Sequence, residues 1–130
     1  MNNGTRVVCA VIRRGPYLLA AQRAEWKVRG GCWELPGGKV EAGETDFQAI
    51  RREMMEELDM NVNPIRVLGT IDHRYADFHI ELVAVACEAS GDIRPGDDHQ
   101  AVTWVDIRKA EGLPWSEADR KLLLRMGILG

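Results

Sequence analysis

The most informative stretch of the chain runs from Gly38 to Met60 and reads GKVEAGETDFQAIRREMMEELDM. Its apolar residues recur at intervals of three or four: Phe47, Ile50, Met54 and Leu58. That spacing places them on one stripe of an α-helix and predicts a helix over Asp46–Leu58. Thr45 suits the N-cap of this helix, and Asp46 suits its first turn.

Three glutamates of the predicted helix, Glu53, Glu56 and Glu57, are expected to lie side by side. At roughly 100° per residue they span an arc of only about 100°, which borders the apolar stripe. Glu53 and Glu57 oppose helix formation by roughly 0.2–0.5 kcal/mol as like charges four residues apart, and Arg52 offsets part of this by pairing with Glu56. Clustered carboxylates are ligands that Mg²⁺ shares with substrate phosphates. The cluster therefore indicates a metal site, with a solvated acidic face as the alternative.

A glycine-rich loop precedes the helix. Gly37, Gly38 and Gly43 stand close together in it, with Glu41 and Glu44 among them. Glycines allow tight turns and a close approach of the backbone to a ligand or a metal. An ordinary glycine-rich turn is the alternative reading of this loop.

Short apolar runs on both sides of the helix predict β-strands. Val7–Ile12 and Tyr17–Ala21 flank the turn signal Arg13-Arg14-Gly15-Pro16, which predicts an opening hairpin. Further strands are predicted at 33–35, 65–72, 78–88 and 102–105, and a closing helix at 117–126. Strands before and after a central helix indicate an α/β domain with a mixed sheet. We expect residues 1–130 to form a single domain.

Composition narrows the range of partners. The net charge is -3 and the sequence pI about 5.6, which argues against a nucleic-acid polymer, since proteins that bind one usually carry a basic face. The three cysteines, Cys9, Cys32 and Cys87, form no Cys-x-x-Cys pair, so neither a disulfide framework nor a zinc site is expected. No window approaches the roughly 20 apolar residues of a membrane span. We expect a cytoplasmic protein without a membrane partner.

Residues 38–60 resemble the signature of the Nudix hydrolases. That signature has Gly, then Glu after five residues, then after seven more Arg-Glu-apolar-x-Glu-Glu-x-Gly-apolar. It is filled here by Gly38, Glu44, Arg52, Glu53, Met54, Glu56, Glu57 and Met60. Asp59 stands where the family usually has its last Gly, which leaves the geometry of the helix exit open. The segment Trp33–Lys39 resembles the lead-in of the MutT-like branch, and Asp98-His99-Gln100 resembles the tail of its cytidine-nucleotide pyrophosphohydrolases.

The resemblance implies a Nudix-type α/β/α sandwich with a central mixed β-sheet. It also implies Mg²⁺, with Mn²⁺ as a substitute, and water attack on a phosphorus of a nucleotide. By position, the metal ligands would be Gly38, Glu53, Glu56, Glu57 and Asp98, and the substrate-binding residues Arg23, Gly37, Lys39 and Asp119. Glu53 would activate water, Arg52 would orient it, and Glu44 would support the loop. Three of these residues have a structural alternative to the implied role. Asp98 could be a loop carboxylate, Asp119 a charge in the first turn of a helix, and Arg23 a charge at a strand edge.

The favoured substrate is a cytidine nucleotide (CTP, dCTP or a modified dCTP), which would yield a monophosphate and pyrophosphate. A carboxylate such as Asp119 can accept a hydrogen bond from the exocyclic amine of cytosine. The same residue suits an oxidised guanine, so 8-oxo-dGTP is the second candidate. Tyr75, as a base-stacking residue, would instead favour dinucleoside polyphosphates or nucleotide sugars. A non-catalytic nucleotide-binding regulator is a further alternative. The oligomeric state stays open, since the apolar strands could pair between two subunits of a homodimer.

Overall fold

The computed structural model describes residues 4–91 and 99–130, of which residues 99 and 100 are described by their backbone alone. Asp98 therefore lies outside the described residues. The strands are β1 (Thr5–Val11), β2 (Arg13–Arg14), β3 (Tyr17–Arg23), β4 (Trp33–Glu34), β5 (Gly37–Lys39), β6 (Val62–Arg74), β7 (His79–Ala89) and β8 (His99–Asp106). The helices are α1 (Asp46–Leu58), a 3-10 helix (Ile107–Gly112) and α2 (Glu117–Arg125).

The strands form two four-stranded sheets. The mixed sheet has the order β5-β1-β7-β6, and β1 runs parallel to β7 with Thr5 opposite Ile80 and Val11 opposite Ala86. The second sheet has the order β2-β3-β4, with β8 antiparallel to β3. Only a short hairpin joins β2 to β3, because the chain changes sheet at Ile12 and β1 pairs with β5 and β7. The prediction of a hairpin between the full runs Val7–Ile12 and Tyr17–Ala21 was therefore wrong.

The two helices cover opposite sides of the mixed sheet. Successive residues of a strand point to opposite faces. Val8 and Ala10 of β1 therefore lie in the hydrophobic core between the sheet and α1, with Ile50 and Met54. Cys9 and Val11 lie in the hydrophobic core on the other side of the sheet, with Ala118, Leu122 and Leu123 of α2. Two cores on either side of one mixed sheet make an α/β/α arrangement, which confirms the predicted fold class.

Helix α1 is fixed at both ends by local interactions. At its start the Thr45 side chain accepts a hydrogen bond from Gln48 N at 3.1 Å, and the Gln48 side chain accepts one from Thr45 N at 2.9 Å. This capping box confirms Thr45 as the N-cap. At its end Asp59 has the left-handed conformation, with φ 51° and ψ 39°. Asp59 thus takes the backbone geometry for which glycine is usually required.

Strand β6 forms one edge of the mixed sheet, and part of that edge is covered by α2. Lys121 Nζ donates to Asp72 O at 2.8 Å, and Arg125 Nη1 donates to Thr70 O at 3.3 Å. These two hydrogen bonds attach the backbone of β6 to α2. Among the described residues, no helix has the length and apolar character needed to cross a membrane.

Candidate active site

A cleft of about 620 Å³ opens where both helices approach the sheets. Helix α1 contributes three carboxylates to it, β5 contributes Gly37, Gly38 and Lys39, and the first turn of α2 contributes Asp119. Strand β4 adds Glu34, and β3 adds Arg23. The structure therefore brings nearly all of the sequence-predicted site residues that it describes to one cavity, while Arg52 and Glu44 lie behind the helix carboxylates.

Two glycines of β5 allow the backbone to come unusually close to its neighbours. A Cβ on Gly38 would lie 2.3 Å from Cδ of Glu53, and one on Gly37 would lie 2.0 Å from Val8 O. Any side chain at Gly38 would therefore displace the Glu53 carboxylate, and one at Gly37 would separate β5 from β1. Gly37 and Gly38 thus serve the contacts of β5 with β1 and with α1, which account for these two glycines.

Arg52 holds the loop before α1 against the helix. Its Nε and Nη2 atoms donate to Glu44 at 2.6 and 2.9 Å, and Nη2 also donates to Lys39 O at 2.9 Å. Its Nη1 atom donates to Glu53 at 2.8 Å and to Glu56 at 3.2 Å, which confirms the predicted pairing of Arg52 with Glu56. One guanidinium therefore fixes the glycine-rich loop and orients the Glu53 carboxylate.

Glu44 is the partner that Arg52 binds most closely. The hydrogen bonds from Arg52, reinforced by one from Glu41 N at 2.9 Å, lower the pKa of Glu44 to about 2. The same contact, with Glu53 in addition, raises the pKa of Arg52 above its ordinary value. Glu44 is consequently a permanent anion at neutral pH, fully occupied in holding the loop.

The three helix carboxylates differ in their access to solvent. The Glu53 side chain is 12% exposed and the Glu56 side chain 58% exposed, while Glu57 is partly buried. Within the residues that the structure describes, no three Asp, Glu, His or Cys side chains gather closely enough to hold an ion. Like charges separate unless a cation holds them together, and Arg52 draws two of these glutamates toward itself. The carboxylates thus line one wall of the cleft as individual oxygen donors.

Asp119 lies in the same cleft, on α2, and is 6% exposed. It accepts hydrogen bonds from Ser116 Oγ at 2.6 Å and from Leu35 N at 2.8 Å. Burial, together with the nearby charge of Glu34, raises the pKa of Asp119 to about 7. Asp119 therefore reaches across to Leu35, which follows β4, and burial favours the protonated form of its carboxyl group.

Sequence reasoning missed several lining residues. Glu34 follows Trp33 in the lead-in segment, pairs with Arg23 at 3.2 Å and faces the cleft. Lys27 and Arg29 belong to the loop between β3 and β4, and Phe78 precedes β7. Periodicity marks none of these residues, although Glu34 lies in the lead-in segment Trp33–Lys39. A loop and a strand end reach the cleft only through the tertiary fold.

Tyr75 also lines the cleft, but its interactions are with the protein. The Arg29 guanidinium lies 4.0 Å from the centre of its ring, His73 meets the ring edge-on at 4.6 Å, and its hydroxyl accepts a hydrogen bond from Ala118 N at 2.9 Å. A base could stack on the ring face covered by Arg29 only by displacing that side chain. This geometry weakens the argument for base stacking on Tyr75.

Comparison with known proteins extends the likeness over nearly the whole chain. The family model described as "NUDIX domain" matches residues 3–126. A protein of Mycobacterium tuberculosis (strain H37Rv) named "Putative 8-oxo-dGTP diphosphatase 2" is 37% identical over 115 residues, 88% of this chain and 82% of the relative. "CTP pyrophosphohydrolase" of Escherichia coli (strain K12) is 35% identical over 129 residues, 90% and 87% of the two chains. The solved structure of a MutT NUDIX hydrolase from Burkholderia pseudomallei has a TM-score of 0.85 at 27% identity and covers 99% of this chain and 100% of its own.

Proposed function

The chain belongs to the Nudix hydrolase family, and from that premise we propose that it is a Mg²⁺-dependent nucleoside triphosphate pyrophosphohydrolase that favours cytidine nucleotides. It would convert CTP, dCTP or a modified dCTP into the monophosphate and pyrophosphate. The observation that supports this most is one cleft that is lined by Glu53, Glu56 and Glu57 of α1 and by Asp119 of α2. A polyphosphate tail and a base can therefore be bound in the same cavity.

The donor set suits a hard divalent cation. Glu53, Glu56, Glu57 and the backbone of Gly38 offer only oxygen ligands, the kind that Mg²⁺ prefers and commonly completes with water and substrate phosphates. These residues would hold the metal, with Asp98 as a further proposed ligand. When bound, such cations neutralise phosphate charge and lower the pKa of an attacking water. Mn²⁺ accepts the same ligands and is the proposed substitute.

Glu53 is proposed to take the proton of the attacking water. Its side chain lies against Gly38, is mostly buried and receives a hydrogen bond from Arg52 at 2.8 Å. Water would attack a phosphorus atom, its proton would pass to the Glu53 carboxylate, and the bond to the leaving phosphate oxygen would break. Arg52 orients Glu53, and Glu44 anchors Arg52; both therefore act as positioning residues.

Asp119 is proposed to read the base. Its carboxylate is buried in the cleft and held in one orientation by Ser116 and Leu35. An ionised carboxylate accepts from the exocyclic amine of cytosine, and a protonated one donates to a ring nitrogen or a carbonyl. Glu34, paired with Arg23, adds a second carboxylate beside it. Lys39 and Arg23 are proposed to bind phosphate or base at the rim, with Gly37 providing close backbone approach.

A second candidate is an 8-oxo-dGTP diphosphatase. It is favoured by the relative of that name and by the titration of Asp119 near neutral pH, which provides both a donor and an acceptor for an oxidised guanine. Dinucleoside polyphosphates are less well supported, because Arg29 covers the face of Tyr75. A purely regulatory role is also less well supported, since every box carboxylate is retained.

The deciding experiment is a pyrophosphate-release screen with Mg²⁺ over the NTPs, the dNTPs, methylated cytosine nucleotides, 8-oxo-dGTP, a dinucleoside tetraphosphate and ADP-ribose. We expect cytidine compounds to have the highest kcat/KM. Preference for 8-oxo-dGTP would replace the cytidine assignment with the second candidate. Binding of nucleotides without turnover of any of them would contradict the proposed hydrolase mechanism.

A further inference from the structure

Arg29 points into the cleft from an unusual backbone position. It has φ 59°, a conformation that L-residues seldom adopt, in the loop between β3 and β4. Hydrogen bonds hold the loop there: Gly31 N donates to Arg23 O at 3.0 Å, and Cys32 N donates to Arg29 O at 3.2 Å. A Cβ on Gly30 would lie 2.5 Å from Glu25 O, so the turn is wound too tightly for a side chain. The loop thus fixes where Arg29 enters the cleft.

The Arg29 side chain is held in place by two groups at the β6–β7 turn. Its guanidinium stacks at 4.0 Å from the centre of the Tyr75 ring, and Nη1 donates to Asp77 at 3.0 Å. The side chain is 25% exposed, whereas Asp77 is 55% exposed. Among the residues that the structure describes, hydrogen bonds from this guanidinium are limited to the one from Nη1 to Asp77. A guanidinium has five N–H donors, so most of them remain available to a ligand.

A series of contacts locates Arg29 along the length of the cleft. The hydroxyl of Tyr75 accepts a hydrogen bond from Ala118 N, next to Asp119, and the Arg29 guanidinium stacks on the Tyr75 ring. Arg29 lies 6.0 Å from the centre of the Phe78 ring, and Lys39, at the glutamate end, lies 5.9 Å from the same ring. These contacts connect Arg29 through Tyr75 to the part of the cleft that holds Asp119, and through Phe78 to the part that holds Lys39 and Glu53.

We propose that Arg29 binds the α-phosphate of the nucleotide. This inference rests on the proposed function, in which the base lies at Asp119 and the terminal phosphates lie at the helix carboxylates. The phosphate next to the sugar then falls between those two parts of the cleft, to both of which Arg29 is connected. A planar guanidinium binds phosphate oxygens in pairs, more strongly and with better-defined geometry than an ammonium group does. Tyr75 is the positioning residue, since its ring supports the guanidinium from one side.

Binding of fragments of the substrate tests this assignment without any turnover. We would measure the Kd of CMP, GMP, their nucleosides and pyrophosphate with Mg²⁺ by calorimetry, for the wild type, Arg29→Ala and Arg29→Lys. Arg66→Ala is the matched control, because Arg66 lines a separate groove with Ile65 and Leu68. We expect Arg29→Ala to weaken the preferred monophosphate about 10- to 100-fold, as loss of charge-assisted hydrogen bonds does. The nucleoside and pyrophosphate should stay within about 2-fold, and Arg29→Lys should fall between.

The Tyr75 variants separate positioning from folding. Tyr75→Phe keeps the ring and should bind the monophosphate like the wild type, whereas Tyr75→Leu should weaken it without changing nucleoside binding. Three results for Arg29→Ala would overturn the proposal: equal losses of affinity for nucleoside and monophosphate, a loss of affinity for pyrophosphate, or an unchanged affinity for the monophosphate. A wild type that binds neither monophosphate would also overturn it. If Arg29 governs monophosphate binding but no triphosphate is hydrolysed, the proposed function fails and the assignment of Arg29 stands.

Discussion

At the scale of single residues, two carboxylates, Asp119 in the cleft and Glu44 behind its helix carboxylates, have opposite electrostatic environments. Glu44 is held as an anion because Arg52 lowers its pKa to about 2. Asp119 is pushed toward neutrality because burial raises its pKa to about 7. Carboxylates whose environments separate their pKa values this widely are common at catalytic and binding sites. Here Glu44 anchors the glycine-rich loop through Arg52, while Asp119, which is proposed to bind the base, lines the cleft.

Replacement of Glu53 by Gln tests the proposed base. Glu53→Gln keeps the shape of the side chain and an oxygen for Arg52, but it removes the proton acceptor. We expect kcat for the preferred nucleotide to fall by about 10²- to 10⁴-fold, the usual contribution of a general base, with little change in melting temperature. Pyrophosphate release at saturating substrate measures the effect, and Glu88→Gln, on an exposed position of β7, is the control. An undiminished kcat would remove Glu53 from the mechanism.

The raised pKa of Asp119 predicts a particular dependence of stability on pH. An acid whose pKa is about 7 in the folded state and 3.8 when unfolded binds its proton more tightly when folded. Its contribution to stability is therefore complete below pH about 4 and is lost as pH rises to about 7. Relative to Asp119→Asn, which does not titrate, the wild type should lose on the order of 3 kcal/mol across this window. Urea unfolding at a series of pH values measures the difference, and parallel curves for the two proteins would contradict it.

At the scale of elements, α1 is the part of the fold that orients the carboxylates. Its start is fixed by the capping box of Thr45 and Gln48, and its end by the left-handed Asp59. Asp59 N donates to Met55 O at 3.1 Å, and Met60 N donates to Met54 O at 3.2 Å, so the chain still leaves the helix through a compact turn. The departure from the family's usual glycine therefore leaves the exit intact and is expected to cost stability.

Substitution of Asp59 tests that cost. A left-handed conformation costs an L-residue about 1–2 kcal/mol, a cost that glycine avoids. Part of this gain is lost because glycine makes the unfolded chain more flexible. We expect Asp59→Gly to raise the free energy of unfolding by about 0.5–1 kcal/mol, and Asp59→Ala, without the local hydrogen bonding of Asp, to lower it. Urea denaturation with a constant m-value is the measurement. A destabilised Asp59→Gly would mean that interactions of the Asp59 side chain outweigh the backbone term.

At the scale of the whole molecule, the cleft is assembled from parts that are distant in the chain. Glu34 belongs to the second sheet, Gly38 to the mixed sheet, Glu53 to α1 and Asp119 to α2. The hydrogen bond from Leu35 N to Asp119 joins residues 84 positions apart. A ligand that contacts several of these walls binds only the assembled fold, so its binding should oppose unfolding.

Ligand binding should accordingly raise the melting temperature. At 100 times its Kd, a ligand specific for the folded state adds about 2.7 kcal/mol, which corresponds to several degrees for a chain of this size. We expect the non-hydrolysable α,β-methylene analogue of the preferred triphosphate to produce this shift with Mg²⁺ and a much smaller one without it. Thermal melting measures both, and cytidine with Mg²⁺ is the control for the base alone. Equal shifts with and without Mg²⁺ would argue against a metal shared with the phosphates.

The sequence by itself determined the central helix and the family to which the chain belongs. The bounds Asp46–Leu58, the Thr45 cap and the pairing of Arg52 with Glu56 all depend on residues three or four positions apart, and such contacts can be read from local spacing. The carboxylate cluster and the family signature lie in the same stretch. The apolar runs before and after this helix likewise predicted the class of fold.

Only the tertiary structure decided how the remaining walls of the cleft meet. The chain changes sheet at Ile12, so β1 pairs in parallel with β7 instead of completing a long hairpin. Arg29 and Glu34 face the cleft, and Asp119 is buried against Leu35, for reasons that no local pattern expresses. Pairings between distant strands, and the burial of a helix turn against a strand, depend on the packing of the whole chain. A side chain whose environment is set by such packing has no signal in the spacing of its neighbours in sequence.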